Sequence, residues 1–184
     1  MNRATGGNVL IDPQTIIEKG EIGDRVRVAD LGCGGSGHFI FPIANVIGEN
    51  GIIYGVDILK NNLENIEHRA KQENLKQVKT IWSNLEIFKA TKIDSASLDV
   101  GLLINVLYQS NKRTEIIRET IRMVKKNGKL IIIDWKKIRS PFGPSITERV
   151  NKENLIAVCQ RLGMEFLEEF NAGEYHFGLT FLKH

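Results

Sequence analysis

Residues 28–39 of the chain, with the sequence VADLGCGGSGHF, decide the fold. They begin within an apolar run at 26–31, contain four glycines and lead into apolar residues at helical spacing. Glycines permit positive φ angles and a close approach of the backbone to a bound group, and the free N–H groups of a helix start attract anions. The stretch therefore predicts a strand, a glycine-rich turn and a helix that begins just after Gly37, with Pro42 in its first turn.

Outward from this turn, strand-like and helical patterns alternate along the chain. Apolar runs of buried-strand length occur at 26–31, 51–58, 77–82, 98–105 and 129–135. Apolar residues at spacings of three and four lie between most of these runs, as in helices packed on one face. We expect Asn127-Gly128 to end the helix that precedes the fifth run. Such alternation favours parallel strands joined by right-handed helical crossovers.

The C-terminal part departs from this alternation. The runs MEFLEEF (164–170) and HFGLTFL (176–182) are separated by only five residues, NAGEY. A crossover helix needs a longer connection, so the two runs are predicted to form an antiparallel hairpin. The expected fold class is α/β, with an open, mostly parallel, Rossmann-like sheet and one antiparallel strand from the C-terminal hairpin.

Composition excludes several classes of protein. The 184 residues carry a formal net charge of +3, which is too small by itself to indicate a nucleic-acid or membrane partner. The two cysteines are too few for the disulfide framework of a small secreted protein. No apolar run has the length of a membrane span or of a signal-peptide core, so we expect a cytoplasmic protein without a membrane partner. We expect residues 1–184 to form a single domain. Its N-terminal helical segment, 1–24, would have Asp12-Pro13 at a helix start and would serve as a lid.

The glycine-rich turn and its acidic residues indicate the kind of ligand. Gly32, Gly34 and Gly37 satisfy G-x-G-x-x-G, and Asp57 ends the next strand-like run, as in enzymes that bind a dinucleotide. Asp30 argues for another ligand, because a carboxylate beside a pyrophosphate in a poorly solvated cleft is unfavourable. An amino acid joined to a nucleoside fits better, because its carboxylate faces the helix start and its ammonium lies near Asp30.

Five successive motifs carry a family resemblance from about residue 25 to the end of the chain. In order they are VADLGCGGSG, GVDIL, WSNLE, LDVGLLINVLYQ and NGKLIIIDW. They resemble the motifs of class I S-adenosylmethionine-dependent methyltransferases, including the type 11 and the ubiquinone–menaquinone-biosynthesis kinds. This resemblance implies S-adenosyl-L-methionine as the cofactor, and the terminal hairpin resembles the reversed seventh strand of that fold.

Seven positions match the cofactor-binding positions of that family: Asp30, Gly32, Gly34, Asp57, Ile58, Asn84 and Asn105. By this resemblance the first three would hold the methionine end, and Asp57 would accept hydrogen bonds from both ribose hydroxyls. Ile58 would pack on the adenine, Asn84 would meet its exocyclic amine, and Asn105 would lie beside the transferable methyl. The sequence departs from the family pattern twice. Ser36 stands where a glycine is usual, with Gly37 one residue later, and Asn84 replaces an acid and so accepts without charge assistance.

The sequence does not assign a catalytic residue. A general base is needed only if the acceptor must lose a proton, and Asp134, Tyr175 and His176 are candidates at the expected ligand edge of the sheet. Cys33 has no basic partner nearby and is more simply a small residue in a tight turn. The four histidines have no metal-ligand spacing, so no metal is expected.

We therefore expect methyl transfer by in-line displacement to an acceptor that the sequence does not identify. Residues 105–108, NVLY, do not match the Asn/Asp-Pro-Pro-aromatic motif that resembles amine methylation of nucleobases or glutamine. A small-molecule acceptor is the first hypothesis, with 136–149 as part of the lid. RNA or protein is the alternative, because Lys136, Lys137 and Arg139 follow the fifth strand-like run. Hypotheses from other classes are an NAD-dependent oxidoreductase and a non-catalytic module that binds an adenosyl cofactor.

Overall fold

The structure, a computed structural model, describes residues 7–184 as a seven-stranded sheet covered by helices. The helices are α1 (Pro13–Gly20), α2 (Ile40–Ile47), α3 (Lys60–Gln72), α4 (Arg113–Met123) and α5 (Lys152–Arg161), with short 3-10 turns at Gly7–Leu10 and Leu107–Gln109. The strands are β1 (Arg27–Leu31), β2 (Ile52–Asp57), β3 (Val78–Trp82), β4 (Leu98–Ile104), β5 (Val124–Trp135), β6 (Met164–Gly173) and β7 (His176–Lys183).

The strand order is β3-β2-β1-β4-β5-β7-β6, and only β7 runs against its neighbours. Each strand of the central sheet buries alternate residues on opposite faces, so Val28 packs with α1, α2 and α3 while Ala29 packs with α4 and α5. The predicted fold class, including the single reversed strand from the C-terminal hairpin, is confirmed.

The predicted helix stop at Asn127-Gly128 is wrong. Helix α4 ends at Met123, and Val124 is already extended and paired with Leu98 of β4. Asn127, at φ 60°, and Gly128 instead accommodate a register shift inside β5. A Cβ on Gly128 would lie 2.9 Å from two backbone carbonyl oxygens, so the glycine serves a close approach of backbone segments.

The start of the chain agrees with the predicted helix start where the structure describes it. The Asp12 side chain accepts a hydrogen bond from the backbone N–H of Gln14 at 2.9 Å, and Pro13 occupies the first helical position. Residues 1–6 of the predicted N-terminal segment lie outside the described residues. Among residues 7–184, no helix is both long and apolar enough to cross a lipid bilayer.

The topology brings the chemically informative residues to one edge of the sheet. β1, β2, β4 and β5 are parallel and end at this edge, while the reversed strand β7 begins there. In open α/β sheets ligands bind outside the carboxyl ends of the strands. The loops that follow these four strands are therefore where a ligand site is expected.

Candidate functional site

A cleft composed of two adjoining cavities, each of about 350 Å³, lies at this edge. Five residues line both cavities: Gly32, Gly34, Leu59, Asn62 and Gln109. The first cavity extends over the ends of β2 and β3, where Asp57, Ile58 and Asn84 line it. The second extends over the ends of β4 and β5, where Asn105 and Trp135 line it. The glycine-rich turn is thus the boundary between two connected binding spaces.

The glycine-rich turn presents bare backbone to this cleft. Gly32 and Gly34 have φ angles of 86° and 64°. A Cβ on Gly32 would lie 2.5 Å from Cγ2 of Val106, whereas a Cβ on Gly34 would meet no atom within 4 Å. Gly37, which follows the unusual Ser36, also has a positive φ, and a Cβ there would lie 2.2 Å from the Phe41 ring. The displaced glycine is therefore required by close packing against α2.

Asp57 connects the end of β2 to the glycine-rich turn. Its Oδ2 accepts a hydrogen bond from the backbone N–H of Gly34 at 2.9 Å, and its Oδ1 accepts one from Leu59 at 2.8 Å. A carboxylate offers about four acceptor positions, so each oxygen retains capacity for a further donor from the cavity. The contacts of Asp57 within the turn are thus compatible with the prediction that it binds ribose.

Asp30 has a buried carboxyl group, and one of its oxygens lacks a hydrogen-bond donor. Its side chain is 1% exposed, and Oδ2 has no hydrogen-bond partner among the described residues. Burial, and secondly the nearby Asp57 carboxylate, raise the pKa of Asp30 to about 7. A cationic ligand group would relieve both effects. The ammonium of a bound amino acid fits this requirement, whereas a pyrophosphate would add further negative charge.

Ile58 and Asn84, the two residues expected to meet the adenine, both line the first cavity. The Ile58 side chain is 53% exposed at the first cavity, so it offers apolar surface to a flat ring. Asn84 is half-buried, and its Oδ1 accepts a hydrogen bond from the backbone N–H of Glu86 at 2.9 Å. That contact fixes the orientation of the amide and leaves one lone pair of the oxygen for an amine. Together with Asp30, Gly32, Gly34 and Asp57, these residues would hold S-adenosylmethionine.

Asn105 occupies a constrained position at the end of β4. It has a positive φ of 57°, and its Nδ2 donates to Oδ1 of Asn8 at 2.9 Å. Its own Oδ1 is buried without a partner among the described residues, and its backbone carbonyl accepts a hydrogen bond from Gln109. Asn8 thus brings the N-terminal segment onto the cleft. The sequence analysis missed Asn8, because no local pattern reports a contact between residues 97 positions apart.

The wall of the second cavity is formed by aromatic rings and by the loop at 136–149. Trp135 and Tyr108 line the cavity together with Gly143, Pro144 and Glu148. Gly143 has a φ of 79°, and a Cβ there would lie 2.6 Å from the Trp135 ring. The loop backbone therefore packs directly on the indole.

Arg149 holds this loop in place. Its guanidinium group, 4% exposed, lies 5.4 Å from the centroid of the Trp135 ring. It donates hydrogen bonds to four backbone carbonyls, those of Lys136, Ile138, Phe142 and Pro144. The sequence analysis missed Arg149 too, although a cation just after a proline-containing loop is a signal that could have suggested it.

The three candidate catalytic residues lie around the cleft but do not line it. Asp134 is buried and accepts hydrogen bonds from the backbone N–H groups of Tyr108 and Trp135, and burial raises its pKa to about 7. His176 is fully buried against Trp135, with ring centroids 4.2 Å apart, and burial lowers its pKa to about 4. Tyr175 lies outside both cavities. Their catalytic roles remain predictions.

The remaining candidates differ in exposure. Cys33 is 1% exposed, and burial raises the pKa of its thiol strongly, so it offers no thiolate for catalysis. Nζ of the half-buried Lys136 is engaged by hydrogen bonds to Asn171 and to two backbone carbonyls, whereas Lys137 and Arg139 are exposed. Of the predicted basic group, two residues are therefore available to a partner.

Comparisons with known proteins agree with this geometry. The family described as "Methyltransferase domain" matches residues 22–170. A demethylmenaquinone methyltransferase of Geobacillus sp. strain WCH70 is 29% identical over 104 residues, which are 55% of this chain and 42% of the relative. An arsenite methyltransferase of Aquipseudomonas alcaligenes is 26% identical over 115 residues, 60% of this chain and 33% of that protein. The chain thus spans less than half the length of these two relatives.

Solved structures show the same fold. A SAM-dependent methyltransferase from Aquifex aeolicus superposes with a TM-score of 0.86 at 20% identity, covering 98% of this chain and 94% of the other.

Proposed function

This chain belongs to the methyltransferase-domain family, and we propose that it transfers the methyl group of S-adenosylmethionine to a small, apolar aromatic acceptor of the quinol type. Membership confirms the family and the cofactor expected from the sequence. The proposal concerns the acceptor, which we assign to the second cavity, next to Asn105.

The observation that carries this proposal is the composition of the second cavity. The half-buried Tyr108 supplies aromatic surface, and Gly143-Pro144, packed on the almost fully buried Trp135 indole, closes one side of the cavity. Polar side chains, among them Asn105 and Gln109, line the remainder. Its volume of about 350 Å³ is in the range of small-molecule sites, which bury most of their ligand against apolar and aromatic walls. A flat ring with polar oxygens matches such a space.

Between the two acceptor classes named for the relatives, the cysteines favour the quinone. Arsenite is a soft ion, and soft ions prefer thiolate ligands. The two cysteines of the chain, Cys33 and Cys159, are both buried, and neither lines the cleft. Burial raises the pKa of both thiols, for Cys159 to about 12. This chain therefore provides no thiolate to receive arsenic.

In this reaction the main task of the protein is to position the cofactor and the acceptor. The cofactor supplies a methyl group already activated on a sulfonium, so orientation provides much of the acceleration, up to roughly 7–11 kcal/mol in favourable systems. The nucleophilic atom of the acceptor bonds to the methyl carbon as the carbon–sulfur bond breaks, and the acceptor then loses a proton. Glu148 is the carboxylate that lines the second cavity within residues 7–184, and we assign it as the group that receives this proton.

An acceptor panel tests the proposed function. The purified chain is incubated with S-adenosylmethionine and 1,4-naphthoquinol, arsenite with a thiol, or an RNA oligonucleotide, and formation of S-adenosylhomocysteine is measured. We expect turnover with the quinol alone. We also expect Glu148→Gln to lower kcat by about 10²–10⁴-fold, the usual range for a general base. Glu153→Gln, on the outer face of α5, is the matched control and should leave kcat unchanged.

Turnover of arsenite or RNA with none of the quinol would refute the assigned acceptor class. Quinol turnover that Glu148→Gln leaves intact would refute the assigned base while keeping the acceptor class.

A further inference from the structure

The loop at 136–149 exposes apolar side chains beside the second cavity. Ile138, Phe142 and Ile146 are 44%, 44% and 45% exposed, and we call them the apolar loop face. We propose that the apolar loop face docks the protein on the surface of an anionic lipid bilayer. None of its three residues lines the cleft, so the face is available for a contact separate from the active site.

The exposure of these side chains is built into the loop. Arg149 holds the carbonyls of Ile138 and Phe142 from inside, and Lys136 ties the start of the loop to the turn between β6 and β7. The backbone carbonyls of the loop are thus held by the buried Arg149, and the half-buried Lys136 fixes its first residue. These contacts fix the backbone at Ile138 and Phe142, and their side chains, like that of Ile146, remain partly exposed to solvent.

Charge around the apolar loop face identifies the partner. Lys137 and Arg139 flank Ile138, are exposed, and form no hydrogen bond or ion pair with another described residue. Glu148, the only acidic residue of the loop, is exposed, accepts hydrogen bonds from Ser145 and lines the cavity. Of the acids outside the loop, Glu169 is paired with Lys152, while Glu153 and Glu174 are exposed. Apolar side chains that enter the acyl boundary, with cations at headgroup level, are the combination that binds anionic membrane surfaces.

RNA is less well matched to this surface. Single-stranded nucleic acids bind through basic grooves in which several aromatic rings stack on bases. Here the exposed apolar residues are mainly aliphatic, with Phe142 as the single exposed aromatic ring of the loop, and its edge already contacts the Tyr175 ring at 5.9 Å between centroids. Isoleucine side chains add area that lipid buries and that a base cannot stack on.

The position of the loop links docking to the active site. Gly143, Pro144 and Glu148 of the same loop line the second cavity, so a docked loop would bring the mouth of that cavity to the bilayer. This link alone rests on the proposed function; the docking itself rests on the loop. The absence of a membrane partner was expected from the lack of a spanning segment and the small net charge. A peripheral contact with a membrane surface requires neither a spanning segment nor a large net charge.

Co-sedimentation with lipid vesicles tests the proposal on the full chain. Vesicles contain either phosphatidylcholine alone or phosphatidylcholine with about one-third phosphatidylglycerol, an anionic lipid. We expect binding to the anionic vesicles, weakened by salt, and little binding to the neutral ones. Replacing the apolar loop face with serine (Ile138→Ser, Phe142→Ser, Ile146→Ser) should reduce the partition coefficient at least tenfold. Lys137→Ala with Arg139→Ala should reduce it by about fivefold per cation.

Matched controls come from other surfaces of the chain. Leu167→Ser removes an apolar side chain of similar exposure, 43%, from β6, and Lys71→Ala with Lys76→Ala removes two exposed cations near the end of α3. Both should bind vesicles as the wild type does. Binding of S-adenosylhomocysteine, measured by calorimetry, should be equal in all variants and shows that each is folded.

Three outcomes would overturn the docking proposal. They are no binding of the wild type to anionic vesicles at low salt, equal binding by the serine variant, or salt-dependent RNA binding that only the Lys137 and Arg139 variant loses. Because the assay involves no methyl transfer, vesicle binding without quinol turnover would refute the proposed acceptor and leave the docking intact.

Discussion

We expect the carboxyl group of Asp30 to couple the stability of the protein to the binding of its cofactor. Its pKa is about 7 in the folded chain, against an ordinary value of 3.8. The folded state therefore retains a proton that the unfolded state loses, so stability falls as pH rises from about 4 to about 7, and the full penalty persists above. Such a shift amounts to roughly 4 kcal/mol at most. A residue that opposes folding in this way is typical of a ligand site.

Asp30→Asn should remove this penalty and weaken the site. We expect the variant to have a higher Tm than the wild type at pH 8 and the same Tm near pH 4. S-adenosylmethionine should bind the wild type more tightly as pH rises through about 7, because the carboxylate then ionises beside the ammonium, and the variant should lose this dependence. Thermal unfolding at pH 4 and pH 8, and calorimetry at pH 6 and pH 8, measure the two effects.

Asp134→Asn is the matched control for this experiment. Burial raises the pKa of Asp134 to about 7 as well, but its two oxygens already accept hydrogen bonds from the backbone N–H groups of Tyr108 and Trp135, whereas Oδ2 of Asp30 has no partner among the described residues. Its replacement should change stability and leave the pH dependence of cofactor binding intact. If both variants bind the cofactor with the wild-type pH dependence, Asp30 does not face the ammonium.

Strands and helices were predictable because burial imposes a period on the sequence, whereas turns depend on what packs around them. The strands β1 to β5 and the terminal hairpin were identified from apolar runs and their spacing. Asn127-Gly128 misled the prediction because a sequence signal for a turn is equally compatible with a strand irregularity. Pairing of Val124 with Leu98 decided between the two, and that pairing is a tertiary contact.

The residues of the candidate site also fall into two groups, those that local sequence predicts and those that only tertiary contacts reveal. Asp30 and Asp57 could be singled out because their distances from the glycine-rich turn are local facts of the sequence. Asn8 could not, because it acts through a contact with a segment 97 residues away, and the role of Arg149 depends on how the loop at 136–149 folds around its guanidinium group. Acceptor recognition depends on that second kind of contact, so sequence alone left the acceptor open.

The loop at 136–149 depends on the fork geometry of Arg149, so Arg149→Lys should loosen it. A lysine ammonium cannot reach four carbonyls from one position, as the planar guanidinium does. We expect a loss of stability of roughly 2–4 kcal/mol, because buried carbonyls lose their donors. The KM of the acceptor should rise while the Kd of S-adenosylmethionine stays the same, since the first cavity lies apart from this loop.

Steady-state kinetics and limited proteolysis measure these effects, with cleavage expected within 136–149. Arg161→Lys, at the exposed end of α5, is the control and should behave as the wild type. A loop that resists proteolysis in the Arg149→Lys variant, with an unchanged KM, would show that the fork geometry is not required.

At the scale of the whole molecule, the order of the motifs was more informative than any one of them. A glycine-rich turn followed by an acid is shared with nicotinamide enzymes. The reversed seventh strand and the four later motifs are not accounted for by that alternative, and the observed strand order with β7 antiparallel agrees with the methyltransferase family. The two classes still make opposite predictions about which ligand stabilises the folded chain.

S-adenosylhomocysteine should therefore raise the Tm of the chain, and NADH should not. A ligand that binds only the folded state and is present at 100 times its Kd adds about 2.7 kcal/mol to the free energy of unfolding, which for a domain of this size is a rise of roughly 5–11 °C.

Asp57→Ala removes hydrogen bonds to a charged group and should weaken binding by about 1.5–3 kcal/mol, so most of the rise should disappear at the same ligand concentration. The ligand-induced rise is the quantity to compare, because Asp57 also binds the N–H groups of Gly34 and Leu59 and its loss lowers the Tm without ligand. A rise with NADH equal to that with S-adenosylhomocysteine, or a rise that Asp57→Ala leaves unchanged, would contradict the assignment of the first cavity to the adenosyl group.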